Sequence, residues 1–185
     1  MSLPSPAQRK VRRILIACIG NIFMGDDGFG VAVAQRLLRR KARLFPENIQ
    51  VIDFGIRGFD LAYALLDDYD VLILVDAVSR GRPPGTLYVL EPDLAAMSSA
   101  KGIEAARMGM EVHSMDPLKV FAYARTLGAQ PIRTLLVGCE PSGANGDEDY
   151  MDLLMGLSQP VQAAVDKAVE IINSLVKELL AVETT

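Results

Sequence analysis

The chain reads as an α/β protein: a three-layer α/β/α sandwich around a mostly parallel twisted sheet of about five strands. Three observations predict this. Apolar runs rich in β-branched residues, such as Ile14 to Ile19 and Val71 to Val75, have no polar alternation, as expected of strands covered on both faces. Segments with helical periodicity stand between them. Strand and helix alternate along the chain, which calls for parallel strands joined by right-handed crossovers.

The elements follow in order. Val11 to Ile19 is the first strand, and Gly28 to Leu44 the first helix, with Phe29, Val33, Leu37 and Leu44 on one stripe. Ile49 to Phe54 is a short strand. Gly58 to Leu66 is a short helix with Leu61, Ala64 and Leu65 facing inward. Val71 to Val75 is a fully apolar strand that ends at Asp76. Pro83-Pro84-Gly85 marks a turn, and Thr86 to Leu90 is a strand suited to a sheet edge. Glu91 to Val112 shows no period. A loop of that length is a functional candidate, and its glycines (Gly102, Gly109) and methionines (Met97, Met108, Met110) suit a segment that moves when a partner docks. Pro117 to Leu127 is a helix and Ile132 to Val137 the last strand. The final helix starts near Ser158, a candidate N-cap, with Pro160 in its first turn. Its apolar stripe is Val161, Val165, Val169, Ile172, Val176 and Leu179, opposite a charged face.

The bulk numbers set bounds. The 185 residues suit one domain, 1–185, with residues 1–10 a frayed tail. A net charge of −4 argues against nucleic acid as the main partner. The densest basic cluster, Arg36, Arg39, Arg40, Lys41 and Arg43, reads as a solvated helix face, with a docking patch as the alternative. Two cysteines, Cys18 and Cys139, make no disulfide framework and suit a reducing compartment. No signal sequence or membrane span is visible, so a cytoplasmic location is expected.

The chemistry concentrates in Gly20-Asn21-Ile22-Phe23-Met24-Gly25-Asp26-Asp27-Gly28-Phe29-Gly30, directly after the first strand. A glycine-rich turn entering a helix often cradles phosphate. The spacing of Gly20 and Gly25 even mimics a P-loop, but Asp26-Asp27 replace its Lys and Ser/Thr. Two carboxylates would repel a phosphate at close range. This turn is suited instead to present oxygen ligands to a cation, or to acid/base work.

In open α/β sheets, ligands sit beyond the carboxyl ends of the strands. Asp27 and Asp76 fall at such ends, and His113, the sole histidine, opens the helix after the long loop. Two carboxylates and one imidazole form a three-ligand set with open positions, suited to zinc, nickel or iron. Each residue also has a plain structural reading. Asp26 or Asp27 could cap the following helix, Asp76 could tie a loop, and His113 could be a packed or capping side chain. Asp53, beside Gly55, is best read as a loop tie. Cys139 could pair with His113 as a nucleophile, but a small buried hydrophobe is the better reading for it and for Cys18. The chain has neither a His-Glu-x-x-His zinc helix nor a Gly-x-Ser-x-Gly elbow.

These residues resemble the hydrogenase maturation proteases. The resemblance is carried first by Gly20-Asn21-x-x-x-Gly25-Asp26-Asp27-Gly28-x-Gly30. Further along the chain it includes Asp53-Phe54-Gly55, Leu74-Val75-Asp76-Ala77, His113-Ser114, Gly138-Cys139-Glu140-Pro141 and Met155-Gly156-Leu157-Ser158-x-Pro160-Val161. It spans about residues 13 to 175. It implies an endopeptidase that trims the C-terminus of the large-subunit precursor of a nickel–iron hydrogenase. It also implies that Asp27, Asp76 and His113 are the metal-site residues, and the catalytic ones. Members often carry Glu at the position of Asp27, so Asp shortens the reach there by one methylene. The metal implied is nickel already installed in the substrate, with other divalent cations able to occupy the site in vitro. Two other classes are left to compare: a non-catalytic nickel-sensing chaperone for the same precursor, and a flavodoxin-like nucleotide-binding domain.

Overall fold

The computed structural model describes residues 12–92, 117–142 and 156–181. Five strands form one sheet in the order β2-β1-β3-β5-β4. They are β1 (Ile14–Ile19), β2 (Ile49–Gly55), β3 (Val71–Ala77), β4 (Leu87–Leu90) and β5 (Arg133–Cys139). The pairs β1–β2, β1–β3 and β3–β5 are parallel; β4 runs antiparallel to β5 at one edge. Among the described residues four α-helices cover the faces: α1 (Phe29–Leu44), α2 (Gly58–Ala64), α3 (Pro117–Thr126) and α4 (Gln159–Ala181).

The fully apolar strands feed two cores. Alternate residues of β1 and β3 (Ile14, Ile16, Cys18; Val71, Ile73, Val75) meet Phe29, Val33 and Leu37 of α1 and the stripe of α4. The intervening residues (Leu15, Ala17, Ile19; Leu72, Leu74) meet Leu61 of α2, Leu65 just after it, and Val120, Phe121 and Ala124 of α3. A strand whose successive side chains enter opposite cores cannot alternate polar with apolar, which is why these runs look continuous. All six residues of the α4 stripe are buried.

Several expectations shift by a few residues. β3 runs through Asp76 to Ala77, and β5 runs on to Cys139, because the two strands stay paired to their ends, Asp76 opposite Gly138 and Ala77 opposite Cys139. Asp76 is therefore held within the ladder and does not terminate it. The glycine turn closes as a short 3-10 helix, Gly25–Gly28, ahead of α1. The basic cluster on α1 packs in part across the layer: Arg36 pairs with Asp166 of α4 at 2.9 Å, and Arg40 lies 3.8 Å from the same carboxylate. This favours the helix-face reading over a docking patch. The segment 93–112, with its methionines and glycines, lies outside the described residues, as do the 1–10 tail and His113. Among the described residues no helix is long and apolar enough to cross a membrane.

Candidate active site

The site is built on the carboxyl ends of β1 and β3. After Ile19 the chain must reverse sharply, and Gly20 makes that possible. Its φ of 143° is open to glycine, and a Cβ there would stand 2.0 Å from the carbonyl oxygen of Asp27. The turn thus folds back over its own start, and the Asn21 N–H donates to Asp27 Oδ2 at 2.8 Å. Gly30 permits the next step. A Cβ there would lie 2.0 Å from the Ile19 carbonyl and 2.6 Å from that of Val75, so α1 begins in direct contact with the ends of both strands. These two close approaches bring Asp27 over β1 toward Asp76 on β3.

Asp76 is partly buried, and its Oδ1 accepts the Ala77 N–H at 2.8 Å. Its pKa is raised from 3.8 to about 8, first by burial and second by the charge of Asp27, against the opposing effect of the Ala77 hydrogen bond. The two acids predicted from the sequence therefore sense each other electrostatically across two strands. A proton or another positive charge relieves such a pair. A pair of hard oxygen donors fits a divalent cation. Among the described residues no three His, Cys, Asp or Glu side chains gather to hold a metal ion. His113 lies outside the described residues, and of the predicted trio the structure shows the electrostatic influence of Asp27 on Asp76.

The neighbouring acids have other tasks. Asp26 does not cap a helix. It turns inward, 8% exposed, and receives the N–H groups of Ser142 at 2.7 Å and Ser158 at 2.6 Å, together with the Ser158 hydroxyl at 2.9 Å. The expected cap, Ser158, thus donates its hydroxyl to Asp26. Asp53 Oδ1 accepts the Gly55 N–H at 3.0 Å, the loop tie expected for it. Cys139 is fully buried, and its thiol is pushed up to about 12 by burial and then by the charges of Asp26 and Glu140. A thiol so resistant to ionisation is no nucleophile. Burial, and then the charge of Asp53, likewise raises the Cys18 thiol.

Glu140 belongs to one of the motifs that carry the resemblance, but the sequence assigned it no role. It is 3% exposed, yet its carboxylate collects donors from three directions. These are the Arg80 N–H (2.8 and 2.9 Å to its two oxygens), the Gly81 N–H (3.0 Å), and the hydroxyls of Ser79 (3.4 Å) and Tyr88. Burial alone would push it up, but the hydroxyl of Tyr88 and the backbone donors outweigh burial and hold it below the usual carboxylate range. The available signal was an acid directly after a buried strand and directly before a proline.

A groove of about 290 Å³ opens between the ends of β1 and β2, lined by Gly20, Asn21, Phe23, Val31, Phe54 and Ile56 among others. Ile22, Phe23 and Ile56 of its lining are exposed, as is Met24 next in the chain, to 65%.

The family model described as hydrogenase maturation protease matches residues 31–175. This chain is a hydrogenase maturation protease. It is 31% identical over 172 residues to the hydrogenase expression/formation protein HupD of Rhizobium leguminosarum bv. viciae, covering 92% of this chain and 77% of the relative. Among solved structures, it is similar to the hydrogenase maturating endopeptidase HybD from E. coli (TM-score 0.64, 26% identity, 90% of this chain and 93% of that one). It is likewise similar to the hydrogenase 2 maturation peptidase of a Thaumarchaeota archaeon (TM-score 0.61, 28% identity, 90% and 99%). As a family member it is an endopeptidase with the α/β fold of these proteases, and the nucleotide-binding reading falls away. The matched region includes Asp76 and His113, while Asp27 lies just before it.

Proposed function

We propose that this protease removes the C-terminal peptide of a nickel–iron hydrogenase large-subunit precursor once nickel is in place, with Asp27, Asp76 and His113 recognising the substrate-borne metal. The observation that carries this reading is the pairing of Asp27 with Asp76, whose carboxyl is raised to about 8 by burial and by its neighbour's charge. Near neutrality Asp76 holds a proton, and an approaching divalent cation would displace it and draw both carboxylates to itself. A precursor without metal leaves that proton in place. The site would then discriminate between loaded and empty precursors by charge.

The exposed apolar rim from Ile22 to Met24, with Ile56, supports the same reading from the peptide side. Apolar side chains of an extended segment can bury themselves there while the scissile bond lies near the acids. Bond cleavage requires a polarised carbonyl and an activated water, for which a carboxylate beside a divalent ion is suited.

The test is processing of nickel-loaded and nickel-free precursor, followed by mass spectrometry. Loaded precursor should be shortened by wild-type protein and left intact by Asp27→Asn and by His113→Ala. Wild-type rates in both variants would refute the assigned roles. Nickel-dependent association without peptide release would instead support a metal-sensing chaperone.

A further inference from the structure

Asp27 and Asp76 stand on different elements, and the sheet does not fix their separation. The β1–β3 ladder ends at Cys18 opposite Val75, before either acid. Beyond that point Ile19 pairs only with Gly55 of β2. The contact of Gly30 with Ile19 and Val75 seats the start of α1, and a second tie, from the segment after β5, holds the turn that carries Asp27 relative to the end of β3 that carries Asp76.

We infer that Glu140-Pro141-Ser142 is a rigid spacer that sets the distance between Asp27 and Asp76, with Asp26 and Glu140 as the positioning residues at its two ends. At one end, both oxygens of Asp26 are engaged: Oδ2 by the Ser142 N–H and the Ser158 hydroxyl, and Oδ1 by the Ser158 N–H. That anchors the Gly25–Gly28 turn, and with it Asp27. At the other end, Glu140 grips the Ser79 hydroxyl and the Arg80 and Gly81 N–H groups, in the loop that leaves Asp76. The Glu140 main chain is itself pinned: its N–H donates to Thr86 O at 2.8 Å, and its carbonyl accepts the Gly85 N–H at 2.9 Å. Pro141 removes a rotation between the two anchors.

Burying two carboxylates costs desolvation that neutral loop ties would avoid. Their surroundings explain the choice. Both oxygens of each acid face a backbone N–H, and an amide would turn its NH2 toward one of those donors. Only a carboxylate accepts on both oxygens and so fixes two segments at once.

This inference rests on the proposed role of the Asp27–Asp76 pair. Its test compares wild type with Asp26→Asn, Glu140→Gln and the double variant, beside Asp27→Asn as a site control and Val176→Ala as a destabilised control in the distant core of α4. Cleavage of nickel-loaded precursor is followed below the melting temperature of every variant. The expected result is a fall in kcat of about 10- to 100-fold for each positioning variant, with KM held. The double variant should fall little further than either single one, since both act on one spacer. Val176→Ala should keep its kcat. If Asp27→Asn is inactive while Asp26→Asn and Glu140→Gln match Val176→Ala, the spacer is overturned and the proposed function stands. If Asp27→Asn is fully active, both fail. Should an acid variant not fold, Tyr88→Phe and Ser158→Ala each remove one hydrogen bond from a clamp. A smaller fall in kcat with unmoved KM supports the spacer, and unchanged kcat in both overturns it.

Discussion

Replacing Asp76 by Asn should make the free protein more stable while abolishing its activity. The side chain keeps its shape, and an amide oxygen can still accept the Ala77 N–H. What disappears is a carboxyl whose pKa is raised from 3.8 to about 8 in the folded state. The sign follows from proton counting. Between those values the folded protein holds a proton that the unfolded chain has released, so stability falls as pH rises through this window. Below about 4 both states are protonated, and above about 8 both are ionised, so the difference is flat at either end. Each pH unit in the window is worth about 1.4 kcal/mol, which puts the penalty near pH 7 at about 4 kcal/mol. The amide has its own burial cost, so a net gain of about 1–3 kcal/mol is expected there. Urea unfolding of both proteins near pH 5, 7 and 9 measures it. The gap should widen from pH 5 to about 8 and then level off. A variant no more stable than wild type near pH 7, or a gap independent of pH, would refute the reasoning.

Two further outcomes are expected. Gly30→Ala forces a methyl against the carbonyls of Ile19 and Val75, at 2.0 and 2.6 Å, neither of which can rotate away; α1 must lift from the sheet, at about 3 kcal/mol or more, with loss of processing because Asp27 lies in the turn that enters α1. An unfolding midpoint near that of wild type would contradict this. Cys139→Ala should keep the processing rate and cost about 1 kcal/mol of stability, and the native thiol should resist alkylation, since burial and nearby acids hold it at about 12. Loss of the peptidase reaction in that variant would reinstate a cysteine nucleophile.

The architecture was legible because local patterns specify it. Continuous apolar runs revealed strands buried on both faces, and the 3.6 period of α4 revealed its buried stripe. The carboxyl ends of β1 and β3 then pointed to Asp27 and Asp76. The duties of adjacent acids were not legible. Asp26 and Asp27 are neighbours in one turn, yet one is turned inward onto Ser142 and Ser158 and the other lies beside Asp76. Which way each points depends on Gly20 and Gly30 allowing backbone to approach backbone. Glu140 was similarly opaque, because its partners at Ser79, Arg80, Gly81 and Tyr88 lie more than fifty residues earlier.

The sequence by itself determined the layers, the order of strands and helices along the chain, and the end of the sheet at which polar groups collect. Periodicity and residue type are local properties, and they survive without knowledge of distant neighbours. Only the tertiary structure decided the division of labour among the acids. A carboxylate becomes an anchor or a reactive group according to the donors, charges and burial around it, and those are supplied by segments far away along the chain.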